Sequence, residues 1–159
     1  RKQRDELIGI VRGCGGFEGV AKDERCEFVE SGLKRAVWTL SGLAKVWKPI
    51  MPTQTYLRTI GILVDTTLTD VLKEVAKLTA VKGDEAHQLR YLLGVLGKVE
   101  GCFEKVSGVG KKKVVEKAPV YLYVKSWEAY VKGMECLEKR PADFLKEVNN
   151  SLQELEKKE

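Results

Sequence analysis

Apolar residues recur at steps of three and four along most of this chain, and the pattern is broadest between Ala44 and Leu78. Tyr56, Ile60, Leu63, Thr67, Val71, Val75 and Leu78 form one stripe, which Leu57, Val64, Leu68 and Leu72 widen. At about 100° per residue these positions span roughly half of a helix circumference, more than the ~100° arc of a simple surface helix. The periodicity therefore predicts a helix over 53–80 that sits among several neighbours and forms the core. Pro49 and Pro52 define the corner before it. Each fixes φ and lacks a backbone N–H, so the preceding helix must stop near Trp47 or Lys48, and Pro52 suits the first turn of the next.

The same reading extends in both directions. Lys2 to Arg12 reads as a helix with Leu7, Ile8 and Val11 on one side, ended by the glycines at 13, 15, 16 and 19. Phe17 is expected to fold back onto a neighbouring helix, since a loop aromatic gains much from burial. Asp23 suits the N-cap of a helix running to about Trp47, with an inner stripe of Cys26, Val29, Leu33, Val37, Leu40, Ala44 and Trp47. Gly32 and Gly42 weaken that helix, by about 1 kcal/mol each relative to Ala, and close approach of another helix is the expected compensation. Phe28, Trp38 and Val46 fall away from the inner stripe. The preferred reading is a second layer of the same domain covering them; the functional reading is an exposed anchor for a partner protein, where Trp is enriched.

After 80, Asp84 suits the cap of a helix through about Val106, with Leu89, Leu92, Val95 or Leu96, Val99 and Phe103 inward. Residues 107–119 carry Gly108, Gly110, Pro119 and three consecutive lysines, and are expected to form a flexible internal loop. Val120, Leu122 and Val124 alternate, which predicts a short extended passage before Ser126 caps another helix. That helix holds Trp127, Tyr130, Val131, Met134 and Leu137. Pro141 opens a last amphipathic helix through Phe144, Leu145, Val148, Leu152 and Leu155.

Composition narrows the function classes. The chain has 159 residues, 43% hydrophobic and 32% charged, which fits one folded domain and argues against disorder. No apolar run approaches the ~20 residues of a membrane span, and Arg1–Arg12 does not read as a signal peptide. The chain begins without Met and is expected to be part of a longer protein. Its net charge of +5 comes from Lys and Arg interleaved with acids, so charge alone does not point to nucleic acid. Lys111, Lys112 and Lys113 form the strongest basic run; a solvated loop is the default, and contact with an acidic protein or anionic lipid is the alternative. Four scattered cysteines and one histidine, His87, offer no zinc spacing and read as buried thiols in a reducing compartment.

Candidate chemistry is thin. The glycines at 13–19 lack the third fingerprint glycine, where Glu18 stands, and follow a helical segment in place of the strand a dinucleotide turn needs. Gly110-Lys111 resembles the end of a P-loop, but Lys105 and Lys112 occupy positions of the first glycine and the Mg²⁺-binding hydroxyl. His87 falls in a first helical turn and reads as a capping or solvated residue. Asp65 and Asp70 read as solvated or salt-bridged surface on a polar flank. No catalytic residues, cofactor or metal site are expected, and the chain reads as a non-enzyme.

Several short pieces carry a family resemblance. Gly15-Gly16-Phe17, Val46-Trp47 with Pro52-x-x-x-Tyr56, Gly61-x-Leu63-x-x-Thr66, Pro119-Val120-Tyr121 and Lys125-x-Trp127 keep order and approximate spacing. Together they resemble the C-terminal region of the Zeste-White ten family of kinetochore and vesicle-tethering subunits. The chain departs from the family between about Gly97 and Lys117 and is shorter after Leu137, so no contact is carried over from those parts. The resemblance implies one all-α domain over 1–159, an elongated antiparallel bundle like the C-terminal domains of helical-rod tethers. It implies a scaffold that binds a Rod- or NAG-like subunit in Golgi-to-ER retrograde transport, alongside another tether rod subunit and, indirectly, ER SNAREs. The alternatives are a subunit of the Rod–Zwilch kinetochore complex in the spindle checkpoint, or a basic membrane-contacting module. The implied location is cytoplasmic, peripheral at the ER membrane, or at the kinetochore in mitosis. No small-molecule substrate or nucleic acid is implied.

Overall fold

The computed structural model describes residues 1–108 and 110–158; Val109, within the expected 107–119 loop, lies outside the described residues. The described residues form an all-α domain of six α-helices: α1 (Lys2–Gly13), α2 (Asp23–Trp47), α3 (Thr53–Ala76), α4 (Gly83–Val95), α5 (Trp127–Lys139) and α6 (Phe144–Lys157). A 3₁₀ segment, Leu96–Phe103, continues α4 and leads into a small antiparallel hairpin of β1 (Glu104–Ser107) and β2 (Val114–Lys117).

α3 is the enclosed element. Every position of its predicted stripe is buried, as are Leu57, Val64, Leu68 and Leu72. It packs against α1, α2, α5, α6 and the 3₁₀ segment, which accounts for an apolar arc too broad for one interface. It ends at Ala76, earlier than the periodicity predicts. The N–H groups of Lys77 and Leu78 donate to the carbonyls of Glu74 and Val75, closing the last turn with tight three-residue bonds. Leu78 stays in the core from the turn that follows.

The helices around α3 run in definite senses. Tyr56, at the start of α3, donates its hydroxyl to the carbonyl of Cys102, at the end of the 3₁₀ segment, at 2.6 Å. Tyr130, which donates to the carbonyl of Leu93 at 2.6 Å, lies over Gly97, Met134 lies over Gly94, and Glu138 pairs with Arg90 at 3.2 Å. Rising numbers on α5 against falling numbers on α4 make that pair antiparallel.

Close approach explains two helical glycines. A Cβ on Gly32 would collide with Sγ of Cys14, the C-cap of α1, so α1 and α2 meet there. A Cβ on Gly61 would lie 2.5 Å from the carbonyl oxygen of Tyr123, so the chain entering α5 crosses α3 at that point. Gly42 has nothing within 4 Å, and the expected approach does not occur there.

Several local expectations are corrected. Lys22 and Lys82 occupy the N-cap positions, with Asp23 and Asp84 inside the first turns, where their charges complement the helix dipole. The helix expected to reach Val106 gives way to the 3₁₀ segment and then to β1. Residues 114–117 of the expected loop form β2, with Glu104 opposite Lys117 and Lys105 opposite Glu116. Val120–Leu122 is a 3₁₀ turn in place of an extended passage; it buries Val120 and Val124 and leaves Leu122 exposed. On α5 the buried side is Ala129, Tyr130, Gly133, Cys136 and Leu137, with Val131 exposed.

Candidate functional site

The outer face of α2 is where the apolar pattern and the packing part company. Phe28, Trp38 and Val46 are 58%, 76% and 61% exposed, so no second layer of this domain covers them. The opposite face of the same helix buries Cys26, Val29, Leu33, Ala36, Val37, Leu40 and Ala44, which fixes the helix against the core and holds the outer residues outward. At 100° per residue Phe28, Arg35, Gly42 and Val46 share one line along the helix, with Trp38 beside it. Ile50, in the corner after α2, extends the exposed apolar surface.

Arg25 anchors the start of this face. Its guanidinium donates to the carbonyls of Cys14 at 2.5 Å and Gly16 at 2.6 Å, and lies over the Phe28 ring at 5.4 Å from the centroid. One cation thus ties the glycine loop, whose residues Gly15, Gly16 and Gly19 have positive φ, to the exposed aromatic. Phe17, in that loop, is buried as expected.

The basic run lies in the connection between the two hairpin strands. Lys111, Lys112 and Lys113 are exposed next to the hairpin, and none has an ion-pair partner among the described residues. Between the hairpin and the α2–α3 corner is a cavity of about 210 Å³, lined by Lys48, Tyr56, Phe103 and Glu116. Lys48 crosses its edge, donating to the carbonyl of Gly101 at 3.1 Å.

The residues weighed for chemistry are dispersed. His87 is exposed on α4 and faces a groove with Lys34 and Arg90, with no carboxylate in the lining. Asp65 is not solvated surface: it accepts hydrogen bonds from the Ser126 backbone N–H at 2.8 Å and hydroxyl at 2.7 Å. Ser126 is the N-cap of α5 as expected, but its hydroxyl serves α3 and not its own helix. Asp65 therefore locks α5 onto α3, a link that no spacing within either segment signals. Asp70 is salt-bridged to Arg12 at 3.7 Å, yet its Oδ2 is buried without a hydrogen-bond partner. Burial pushes its carboxyl above the usual range, and Arg12 pulls it back.

All four cysteines are buried and unpaired. Burial raises their thiols, Cys102 to about 11, so they stay protonated at neutral pH and are poor nucleophiles. Burial likewise pushes the Tyr130 hydroxyl up to about 12. Among the described residues no group of three or more His, Cys, Asp or Glu side chains is placed to hold a metal ion.

Fold and surface together define an all-α bundle domain that encloses one helix and presents an uncovered aromatic face on another. Residues 31–155 match the model of the ZW10 C-terminal helical domain, and the chain belongs to that family. It is similar to two curated relatives, each described as centromere/kinetochore protein zw10 homolog. The rat protein is 23% identical over 140 residues and the mouse protein 22% identical over 138. These alignments cover 87% and 86% of this chain but 18% of either relative, so the chain spans under a fifth of their length. No solved structure matches.

Proposed function

We propose that this domain is a non-enzymatic protein–protein interaction scaffold of a vesicle-tethering subunit, acting in Golgi-to-ER retrograde transport through a Rod- or NAG-like partner. The observation that carries the reading is the outer face of α2. A helix pinned along its whole inner side keeps Phe28, Trp38 and Val46 in water, and large exposed aromatics on rigid elements are the material of interface anchors. Lys111–Lys113 supply a second contact, for an acidic surface of the same assembly. Attachment to the ER membrane would be peripheral and made through partners, including ER SNAREs; no helix of the described residues is long and apolar enough to cross a membrane.

The test is a pulldown of the Rod- or NAG-like subunit with Phe28→Ala and Trp38→Ala. Each variant is expected to keep its helical circular dichroism and thermal midpoint and to lose roughly tenfold or more in affinity, as truncation of an interface hot spot does. Unchanged capture by both variants would move the contact elsewhere. A kinetochore role is the second reading, favoured by the likeness to the rat and mouse centromere/kinetochore proteins. Purification of the full-length protein from interphase and mitotic cells separately distinguishes the two settings by the partners recovered.

A further inference from the structure

An open groove of about 580 Å³ runs beside α4, bounded by α2 and α5. Its polar lining is entirely basic or neutral. Lys34 comes from α2, Arg90 from α4 and Lys98 from the 3₁₀ segment, with His87 at one end, and no Asp or Glu lines it. Two of these cations are already paired with acids outside the lining. Glu30 pairs with Lys34 at 3.4 Å and accepts the Tyr91 hydroxyl, and Glu138 pairs with Arg90. The Arg90–Glu138 pair is about half exposed on both sides and therefore weak, so an arriving carboxylate can share or replace Glu138, while Lys34, itself exposed, keeps donors for a second carboxylate beside the mostly buried Glu30. Lys98 has no ion-pair partner among the described residues.

The floor is apolar and has room. Val95 and Met134 form it, and Gly94 adds no side chain. A Cβ on Gly94 would meet only Met134 Cε, at 3.9 Å, so packing within the domain does not demand glycine there, although glycine weakens the helix. The missing side chain keeps the groove open beside the half-exposed Tyr91 ring. The lining positions 87, 90, 91, 94, 95 and 98 recur at steps of three and four, so the groove follows α4 for on the order of 16 Å, about three turns of a docking helix.

We propose that this groove docks an acidic amphipathic helix of a partner protein. Its apolar side chains would lie over Gly94, Val95 and Met134, and its flanking carboxylates would reach Lys34, Arg90 and Lys98. Met134 suits such a contact because its unbranched thioether repacks around different shapes. The groove is centred on α4 and takes only Lys34 from α2, and the proposal does not depend on Phe28, Trp38 or Val46.

Fluorescence anisotropy tests it with a labelled peptide carrying leucines at helical spacing flanked by glutamates, and a counterpart with lysine at every glutamate. The glutamate peptide is expected to bind saturably, more weakly as salt rises, and the lysine peptide not to bind. Affinity should fall roughly tenfold or more in the double variant R90E/K98E and in Gly94→Leu, which fills the groove without changing charge. Trp38→Ala should bind the peptide like the parent protein. No saturable binding of the glutamate peptide, or binding undiminished in Gly94→Leu, would overturn the proposal; the latter would reduce the contact to diffuse charge attraction. Should Gly94→Leu fail to fold, undiminished binding by R90E/K98E would overturn it equally.

Discussion

Gly61 and Gly42 sit in the interior of neighbouring long helices, and the same substitution should act on them with opposite sign. At Gly61 an added methyl would press on the Tyr123 backbone at 2.5 Å and its Cβ at 2.8 Å, positions that cannot move without shifting the entry to α5. Gly61→Ala is expected to destabilise by about 1–3 kcal/mol, the usual range for overpacking. At Gly42 there is open space, and Gly42→Ala should stabilise by up to about 1 kcal/mol through helix propensity. Urea unfolding of the two variants against the parent protein checks both signs. Asp70 gives a pH signature. Its folded carboxyl titrates above the unfolded value, because burial outweighs the Arg12 charge, so the folded state binds its proton more tightly. Its contribution is therefore unfavourable at neutral pH and is relieved as pH falls through the folded pKa. Asp70→Asn should raise the urea midpoint at neutral pH, and the gain should shrink toward about pH 4 and below, where Asp70 itself is protonated. A gain that grew on acidification would contradict this sign.

At the scale of elements, α3 carries the contrast between a fully enclosed face and its one open side. Leu68 is 1% exposed and Ile62 is 60% exposed on the same helix. Leu68→Ala is expected to cost about 2–5 kcal/mol and Ile62→Ala within about 0.5 kcal/mol, measured by denaturant unfolding. This element was legible in the sequence because its period is long and its apolar arc wide. The bounds of α2 were legible for a similar reason, with Asp23 at one end and the Pro49 corner at the other. The segment after Val95 was not. A 3₁₀ helix buries Leu96, Val99, Cys102 and Phe103 at spacings of three and four, and eight residues do not separate a period of 3.0 from 3.6. The hairpin did leave a signal: Glu104-Lys105-Val106 mirrors Val115-Glu116-Lys117, so opposite charges face each other in antiparallel register. Only six residues, 108–113, separate the strands, and the glycines and lysines among them read as an open loop, which masked the pairing. The α2 face was ambiguous for another reason. An outward apolar residue has the same spacing whether a second layer covers it or water does, and only the packed bundle shows that Phe28, Trp38 and Val46 are uncovered.

For the whole molecule, the links between elements matter more than any single one. Arg25 fastens the glycine loop to α2, Asp65 fastens α5 to α3, and the Tyr56 and Tyr130 hydroxyls fasten the α4 region to both. Each ties two elements together, so the uncovered faces are carried on a cross-braced body, as the proposed scaffold role requires. The thiols have a further consequence. Cys14 lies at the α1–α2 crossing, Cys26 near the start of α2, Cys102 where the 3₁₀ segment meets the hairpin, and Cys136 on α5, all shielded from solvent. Each is a built-in reporter of transient opening in its own quarter of the fold. Under native conditions a soluble disulfide reagent should consume them at separate, slow rates, and mass spectrometry of the modified peptides would rank which part of the body breathes first. A burst of four equivalents at mixing would mean the bundle is far looser than its packing implies.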